Sequence, residues 1–385
     1  MRFNFDELVN RRGSNCAKWD EAKDAEVLPM WVADMDFKVA PAISQALMQR
    51  VQHGIFGYVE VPDAYYQAVI HWFSSRHEWT MQRDWIIYTI GVVPALSAVI
   101  KAVTKPGDKI LVQTPVYNLF FSSIRNNGCE VVCNDLLFKD GSYTVNFDDL
   151  EQKAADPDVK ALLLCNPHNP AGRVWTRDEL THIGDICLRN HVFVIADEIH
   201  CELTFNGNHY TPFAALSDTF LQNSATCTSP SKAFNIAGLQ IANITIADAD
   251  IRQRVDKAIN INEVCDVNPF GVDALMAAYN ECGDWLDQLK DYLWDNYLYL
   301  TDFFARELPQ LSVTRLEGTY LVWVDCRSLG ESSVVLAQRL RKAHKVWLNA
   351  GSLYGTAGEG FLRINIACPR FLLKTGLERI AEGLK

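Results

Sequence analysis

The sequence predicts an α/β fold, with a large unit built on a mostly parallel sheet and a smaller α+β unit after it. Three observations support this prediction. The chain has 385 residues, which exceeds one small core and fits two units of unequal size. Short apolar runs alternate with amphipathic stretches between about residues 85 and 250. After Pro269 this pattern gives way to one long amphipathic stretch followed by short strand candidates.

Six strand candidates lie in the first region and are mostly apolar without alternation, which is typical of strands buried on both faces of a sheet. They cover residues 86–90, 109–113, 161–165, 192–196, 224–228 and 241–246. Helical patterns separate them. One helix is expected to begin at Thr176, because Glu179 three residues later completes a capping-box pattern. This alternation of strands and helices predicts a doubly wound sheet.

The second region begins with a long helix. Leucine and aromatic residues recur at three- and four-residue spacing from Leu286 to Phe304, so we expect one amphipathic helix that ends before Pro309. Strand candidates follow at residues 319–324, 345–348 and 361–366. We therefore expect a smaller α+β unit, which the long helix could bridge to the first.

Composition excludes several classes of function. The formal net charge of -11 argues against nucleic acid or an anionic membrane as the main partner. No apolar run reaches the roughly 18 residues that span a bilayer, and the first residues resemble no signal peptide, so we expect a cytoplasmic protein. The eleven cysteines and nine histidines show no disulfide-like or metal-ligand spacing. We expect no metal.

Two segments after predicted strands carry charged candidates, at the sheet edge where open α/β folds bind ligands. Lys232 ends the sequence Ser-Pro-Ser-Lys. In a buried site a low dielectric and a nearby cation would depress the pKa of this lysine and make it a Schiff-base nucleophile, with neighbouring hydroxyls for a phosphate. Asp197 could hold a pyridine nitrogen protonated. Taken alone, the first segment also fits a solvated loop, and the second fits a helix cap or an ion pair.

Two further segments offer hydrogen-bond donors. Residues 166–172 contain two Asn-Pro dipeptides and Gly172, so turns could direct the Asn169 amide inward to donate to a phenolate oxygen. Residues 91–96 lie between a strand and an amphipathic helix, and free N–H groups at a helix N-terminus bind phosphate. A plain turn and a tight strand–helix connection are the alternatives.

Together, the order and spacing of these segments resemble the fold type I enzymes that depend on pyridoxal 5′-phosphate (PLP), the aspartate aminotransferase superfamily. The resemblance covers almost the whole chain. Residues 31–37, 91–96, 165–170, 173–175 and 196–200 are similar to the carbon–sulfur β-lyase branch, which includes cystathionine and cysteine-conjugate lyases. The resemblance implies a PLP-dependent transferase-like fold. Its large domain, residues 46–275, would hold a mostly parallel, mixed seven-stranded sheet, and residues 1–45 and 276–385 would form a smaller α+β domain.

The resemblance also implies roles around the cofactor ring. Lys232 forms the Schiff base and later removes the substrate Cα proton. Asp197 pairs with the pyridinium, and Asn169 bonds the phenolate oxygen and contacts the substrate. Tyr117 stacks on one face of the ring, and Ile199 packs on the other.

For the cofactor phosphate and the substrate, the resemblance implies a second set of residues. Arg363 clamps the α-carboxylate, where a fork of donors matches two oxygens. Tyr58 resembles a tyrosine that reaches the partner subunit's phosphate, so a homodimer with shared sites is implied. The phosphate-binding residues are Gly91, Val92, Val93 and Ser229.

Two positions depart from aspartate aminotransferases. Gln240 stands where an arginine usually binds phosphate, eight residues after the lysine. His200 stands where a tyrosine usually contacts the phenolate oxygen, and the resemblance implies that His200 is a cofactor-binding residue. Both departures fit a lyase better than a typical aminotransferase.

The resemblance therefore implies a PLP-dependent β-elimination. A sulfur amino acid such as cystathionine, cysteine or an S-substituted cysteine would yield pyruvate, ammonia and a thiol. Tyr117, Tyr58 and Lys232 are the candidates for protonating the leaving sulfur. An aminotransferase of class I or II on the same fold is the alternative, and a regulatory binding protein without turnover is a third.

Overall fold

The computed structural model describes residues 2–261 and 266–385. The strands are β1 Leu28–Pro29, β2 Ile86–Thr89, β3 Lys109–Thr114, β4 Glu130–Asp135, β5 Leu137–Lys139, β6 Ser142–Thr144, β7 Val159–Cys165, β8 Phe193–Asp197, β9 Ser224–Thr228, β10 Ala242–Thr245, β11 Ser312–Val313, β12 Leu321–Asp325, β13 Val346–Trp347, β14 Asn349–Ala350 and β15 Phe361–Asn365. The helices are α1 Ala17–Asp20, α2 Pro41–His53, α3 Asp63–His77, α4 Val92–Val103, α5 Leu119–Asn126, α6 Phe147–Ala154, α7 Arg177–Arg189, α8 Asp218–Gln222, α9 Ala249–Asn260, α10 Pro269–Glu281, α11 Gly283–Glu307, α12 Ser333–Ala343 and α13 Arg370–Leu384.

A seven-stranded sheet forms the centre of the large unit, in the order β2-β10-β9-β8-β7-β3-β4. Strand β10 runs antiparallel to both of its neighbours, and the other pairs are parallel. All six predicted strands are confirmed to within two residues at each end. The seventh strand, β4, lies at the sheet edge and is less apolar than the six candidates. The mostly parallel, mixed sheet that the sequence predicted is therefore confirmed.

Helices cover both faces of this sheet. Helix α7 begins after Thr176, whose hydroxyl accepts from the Glu179 N–H while the Glu179 carboxylate accepts from the Thr176 N–H. This confirms the predicted capping box, which satisfies two N–H groups that a helix start leaves free. Helix α4 is mostly apolar and packs across β8, β9 and β10. Its N-terminus therefore lies over the carboxyl ends of the parallel strands.

The C-terminal part contains the predicted long helix α11, which has 25 residues and ends before Pro309. It packs beside an antiparallel four-stranded sheet in the order β11-β12-β15-β14. The strand predicted at residues 345–348 is present as β13, but it pairs in parallel with β1 from the N-terminal part of the chain. One apolar core joins residues before α3 to α10, α11 and α13. The domain boundaries at residues 46 and 275 stay a prediction.

Two further features concern cysteines and membranes. The ten cysteines described are all free, and Cys265 lies outside the described residues. In the part of the chain that the structure describes, no helix combines the length and the apolarity needed to cross a membrane.

His77, Cys201 and Glu202 place possible metal-ligand atoms within 4.8 Å of one another. The Glu202 carboxylate already accepts from Trp72 Nε1 and contacts His77 Nε2, each at 2.7 Å.

Candidate active site

A buried pocket opens at the carboxyl ends of β2, β3, β7, β8 and β9. Segments that are far apart in the sequence meet there because the parallel strands all end at this edge of the sheet. Of the residues given a site role from the sequence, nine line this pocket: Gly91, Val92, Val93, Tyr117, Asn169, Asp197, Ile199, His200 and Lys232. Ala33, Ser231 and Gln240 line it as well.

Lys232 lies in the turn after β9, and its Nζ donates to the Ala33 carbonyl at 2.7 Å. Burial lowers the pKa of this lysine to about 8, and the Arg363 charge acts in the same direction. The carboxylates of Asp34 and Asp197 partly oppose this decrease. At pH 7 roughly a tenth of Lys232 is therefore the neutral amine, which is the nucleophilic and basic form, far more than for an unperturbed lysine.

Asp197 is the last residue of β8 and is buried. Its carboxylate accepts from the Ile199 N–H at 3.2 Å. Burial raises the pKa of Asp197 to about 7, although this hydrogen bond and the charge of Lys232 favour the ionised form. A buried carboxylate with so little compensation would be stabilised by a cationic group in the pocket.

Arg363, on β15 in the second sheet, does not itself line this pocket but contacts Asn169, which does. Its Nη1 donates to Asn169 Oδ1 at 3.1 Å, and its Nη2 donates to the Trp31 carbonyl at 2.6 Å. Its Nε has no hydrogen-bond partner. Within residues 2–261 and 266–385, no carboxylate forms an ion pair with Arg363. This buried guanidinium therefore retains capacity for an external carboxylate.

Because the Asn169 oxygen accepts from Arg363, its amide nitrogen is the group left to donate to a ligand. Burial and the nearby Asp197 raise the pKa of Tyr117 to about 12, so its phenol keeps its proton. Burial, together with Lys232 and Arg363, lowers the pKa of His200 to about 3. The imidazole is therefore neutral, and its Nδ1 has no hydrogen-bond partner.

The start of α4 forms another part of the pocket wall. Gly91 is the N-cap residue, and the N–H groups of Val92 and Val93 belong to the first turn, where no carbonyl of the helix can accept them. Ser231 lines this pocket, whereas Ser229 does not. The Ser229 hydroxyl donates to the Ile241 carbonyl at 2.6 Å and lies 2.8 Å from Ser231 Oγ.

Tyr58 follows α2 and lies outside the pocket in the single chain. Its side chain is 92% exposed. Its neighbours Met48, Val51, Ile55 and Phe56 are also exposed, although they are large and apolar. The structure therefore places Tyr58 on the exposed surface, in a segment rich in exposed apolar side chains, and not in the site of its own chain.

The residues present fit PLP. An anion site at a helix N-terminus suits a phosphate, and the neutral Gln240 beside it adds no cation. A buried lysine with a lowered pKa suits the aldehyde, and the poorly compensated Asp197 suits a protonated ring nitrogen. Two contributors were not identified from the sequence: the Ala33 carbonyl and the Asp34 carboxylate. Of the two hydroxyls that the sequence Ser-Pro-Ser-Lys offered, the structure places Ser231 and not Ser229 in the pocket lining.

The chain is similar to known proteins over nearly its whole length. A family model described as aminotransferase class I and II matches residues 25–380. Cystathionine beta-lyase PatB of Bacillus subtilis is 43% identical over 99% of this chain and 100% of its own length. The crystal structure of cystalysin from Treponema denticola, which contains PLP, has a TM-score of 0.97 and 37% identity and covers 100% of this chain and 99% of its own. A PLP-bound C–S lyase from Staphylococcus hominis has a TM-score of 0.93 and 35% identity over 99% of both chains.

Proposed function

Because the chain belongs to the aminotransferase class I and II family, we propose that it is a PLP-dependent carbon–sulfur β-lyase. Its substrates are L-cystathionine, cysteine or other S-substituted cysteines, and its products are pyruvate, ammonia and a thiol. The observation that carries this proposal is the convergence of Lys232, Asp197 and Asn169 in one buried pocket, with Arg363 hydrogen-bonded to Asn169. The choice of elimination over transamination rests on the lyases that the chain resembles.

The protein residues divide the binding of PLP among them. The first turn of α4, with Gly91, Val92 and Val93, receives the phosphate, and Ser231 and Gln240 line the same pocket. Ser229 supports Ser231 through their hydroxyl contact. When bound, PLP supplies an aldehyde for the substrate amine and a ring that takes up electrons from the substrate Cα.

Four side chains organise the reaction around that ring. Asp197 holds the proton on the ring nitrogen, and Asn169 donates to the ring oxygen. Arg363 binds the substrate carboxylate, which fixes the substrate Cα relative to Lys232. Lys232, once its nitrogen is free, takes the Cα proton, and its lowered pKa of about 8 suits a base that works near neutral pH.

The outcome of this proton removal depends on the group at Cβ. A thiolate is a far better leaving group than a hydroxide, so S-substituted cysteines are the natural substrates for elimination. Tyr117, Tyr58 and Lys232 are the candidates for protonating the departing sulfur. Tyr117 is suited to donate, because its raised pKa of about 12 keeps the phenol protonated.

We also propose a homodimer in which Tyr58 acts in the partner's site. The exposed large apolar side chains that lie close to Tyr58 in the sequence support this proposal, since apolar surface left exposed in a single chain can be covered by a partner. A cytoplasmic location fits the ten free cysteines of the described chain, because reducing compartments keep thiols free.

The decisive experiment supplies L-cystathionine without any 2-oxo acid. We expect pyruvate and ammonia in equal amounts, with pyruvate measured through lactate dehydrogenase and ammonia counted separately. Pyruvate that appears only after addition of a 2-oxo acid, or accumulation of the corresponding amino acid in proportion to the substrate lost, would replace the lyase with an aminotransferase. A PLP-containing protein that consumes no amino acid would leave the regulatory alternative.

A further inference from the structure

The segment at residues 31–35, here called the strap, has no regular secondary structure. Even so, each of its five carbonyl groups accepts a hydrogen bond from a side chain. The first carbonyl accepts from Arg363 Nη2 at 2.6 Å, and the second and fourth accept from Asn365 Nδ2 at 2.5 and 2.7 Å. The fifth accepts from Arg11 Nη1 at 2.9 Å and from Asn235 Nδ2 at 3.0 Å. The strap is therefore held by side chains, including two from β15, and not by backbone hydrogen bonds of a helix or strand of its own.

The third carbonyl, that of Ala33, accepts two hydrogen bonds. Lys232 Nζ donates to it at 2.7 Å, and the Tyr320 hydroxyl donates to it at 3.0 Å. A carbonyl oxygen has two lone pairs, so these two donors use its full capacity. Tyr320 is fully buried, and its own carbonyl accepts from the Ile366 N–H at 3.0 Å, which anchors it beside β12. The hydroxyl is therefore held in position at the acceptor of Lys232.

We infer that Tyr320 is a positioning residue for Lys232, acting through the Ala33 carbonyl that it shares with the lysine amine. This inference rests on the proposed function, in which Lys232 reacts with PLP. A neutral amine has one lone pair, and its direction depends on where the N–H groups point. The bond to Ala33 fixes one N–H and so restricts the direction of the lone pair. The Tyr320 hydroxyl holds the carbonyl and takes up part of its electron density.

The shared acceptor also affects the protonation of Lys232. An ammonium gains more than a neutral amine from a strong acceptor, because its hydrogen bonds are charge-assisted. By donating to the same oxygen, Tyr320 weakens that acceptor and favours the neutral amine. The other groups that act on Lys232 are the carboxylates of Asp34 and Asp197 and the guanidinium of Arg363. His200 is neutral, and the Tyr117 phenol keeps its proton.

Tyr320→Phe removes the hydroxyl and leaves the ring. The cofactor-free full-length protein is mixed with PLP at pH 6 to 9.5, and the rate of visible absorbance change is recorded. The reaction joins the lysine nitrogen to the aldehyde carbon and releases one water. We expect the pH midpoint of this rate to move up by about half a pH unit, so that capture is roughly threefold slower below the midpoint and converges with wild type above it. Free PLP titrates identically in all samples, so differences report on the protein.

Tyr297→Phe is the matched control. Tyr297 is also buried and its hydroxyl donates to a backbone carbonyl, that of Thr314, at 3.1 Å. It lies on α11, away from the pocket, so its variant should keep the wild-type midpoint. A Tyr320→Phe midpoint equal to wild type, or an equal slowing at every pH, would overturn the inference, because packing damage alone has no reason to shift a titration.

A second substitution protects the test against misfolding. Replacement of Tyr320 by 3-fluorotyrosine keeps the ring and strengthens the hydroxyl as a donor, so the midpoint should move down. Burial raises the pKa of Tyr320, which keeps this hydroxyl protonated. An unmoved midpoint would contradict the inference. Borohydride fixation followed by peptide mass spectrometry locates the adduct. If wild type carries no adduct on Lys232, the proposed function itself fails, whereas a wild-type adduct with unshifted Tyr320 variants refutes only the positioning role.

Discussion

Asp197→Asn should raise the stability of the cofactor-free protein above neutral pH and still impair the enzyme. Burial moves the pKa of Asp197 from its ordinary value of 3.8 to about 7 in the folded chain. The folded state therefore binds this proton more tightly than the unfolded state, and stability falls as pH rises between these values. The full cost, present above pH 7, is roughly 4 kcal/mol. Asparagine carries no charge and removes this pH-dependent cost.

The quantity to measure is the difference in the free energy of unfolding between wild type and Asp197→Asn, followed as a function of pH. Between pH 5 and pH 8, wild type should lose roughly 2 to 3 kcal/mol relative to Asp197→Asn in the free energy of unfolding. Any fixed cost of the new amide cancels from this comparison, since the amide does not titrate. Urea denaturation of the cofactor-free proteins at several pH values provides the numbers.

Catalysis should move in the opposite direction. A neutral amide cannot keep the ring nitrogen protonated, so kcat should fall by roughly 10²- to 10³-fold, as for other preorganised electrostatic groups. Glu198→Gln is the control. Glu198 is the next residue, its pKa is also raised to about 7 by burial, and it does not line the pocket. This control should alter stability and spare turnover per bound cofactor. Identical pH profiles of stability in Asp197→Asn and wild type, or near-normal rates with cofactor bound, would refute the reasoning.

Three further substitutions test the other roles. Lys232→Ala should fold, yet lose turnover by more than about 10⁴-fold and lose the borohydride-fixed PLP adduct; a normal rate with an adduct on another lysine would reassign the role. Arg363→Lys should raise KM for amino acids about 10- to 100-fold, because a point charge cannot replace a bidentate fork. The control is Arg173→Lys, at a buried ion pair with Glu317, which should change stability only. An unchanged KM would place the carboxylate elsewhere. Mixed dimers of Tyr58→Phe and Lys232→Ala should recover activity, since each hybrid has one complete site, and no recovery would contradict sharing.

The central sheet was predictable because its strands are long enough to carry a signal. Strand β9 was predicted at its observed bounds, and the start of α7 followed from two residues at fixed spacing. The hairpin of β5 and β6 and the pairing of β1 with β13 were not predicted, since strands of two or three residues have no periodicity. Edge strand β4 is half-exposed and therefore differs from the apolar runs of its neighbours.

The site was predictable to the extent that it follows from strand ends. Nine of the residues given a site role from the sequence line one pocket, because the turns that follow parallel strands lie at the same edge of the sheet. The contribution of Ala33 was not predictable, because any residue has a backbone carbonyl and the alanine side chain carries no functional group. Nor could the sequence indicate that the Ser229 hydroxyl bonds within the protein, since Ser229 and Ser231 differ only in orientation.

The strap links Lys232 to a buried cluster of ion pairs whose residues are far from Lys232 in the sequence. Lys18 and Asp36 form a buried pair at 2.7 Å, and Arg11 contacts Asp34 at 2.6 Å and Asp36 at 2.7 Å. Breaking such a pair leaves an uncompensated buried charge, which is strongly destabilising. The residues that flank Ala33 therefore cannot shift without a large cost. The N-terminal part of the chain thus sets the position of the acceptor, and the turn after β9 sets the position of the amine. The direction of the Lys232 amine therefore depends on two segments that are far apart in the sequence. It could not have been predicted from either segment alone.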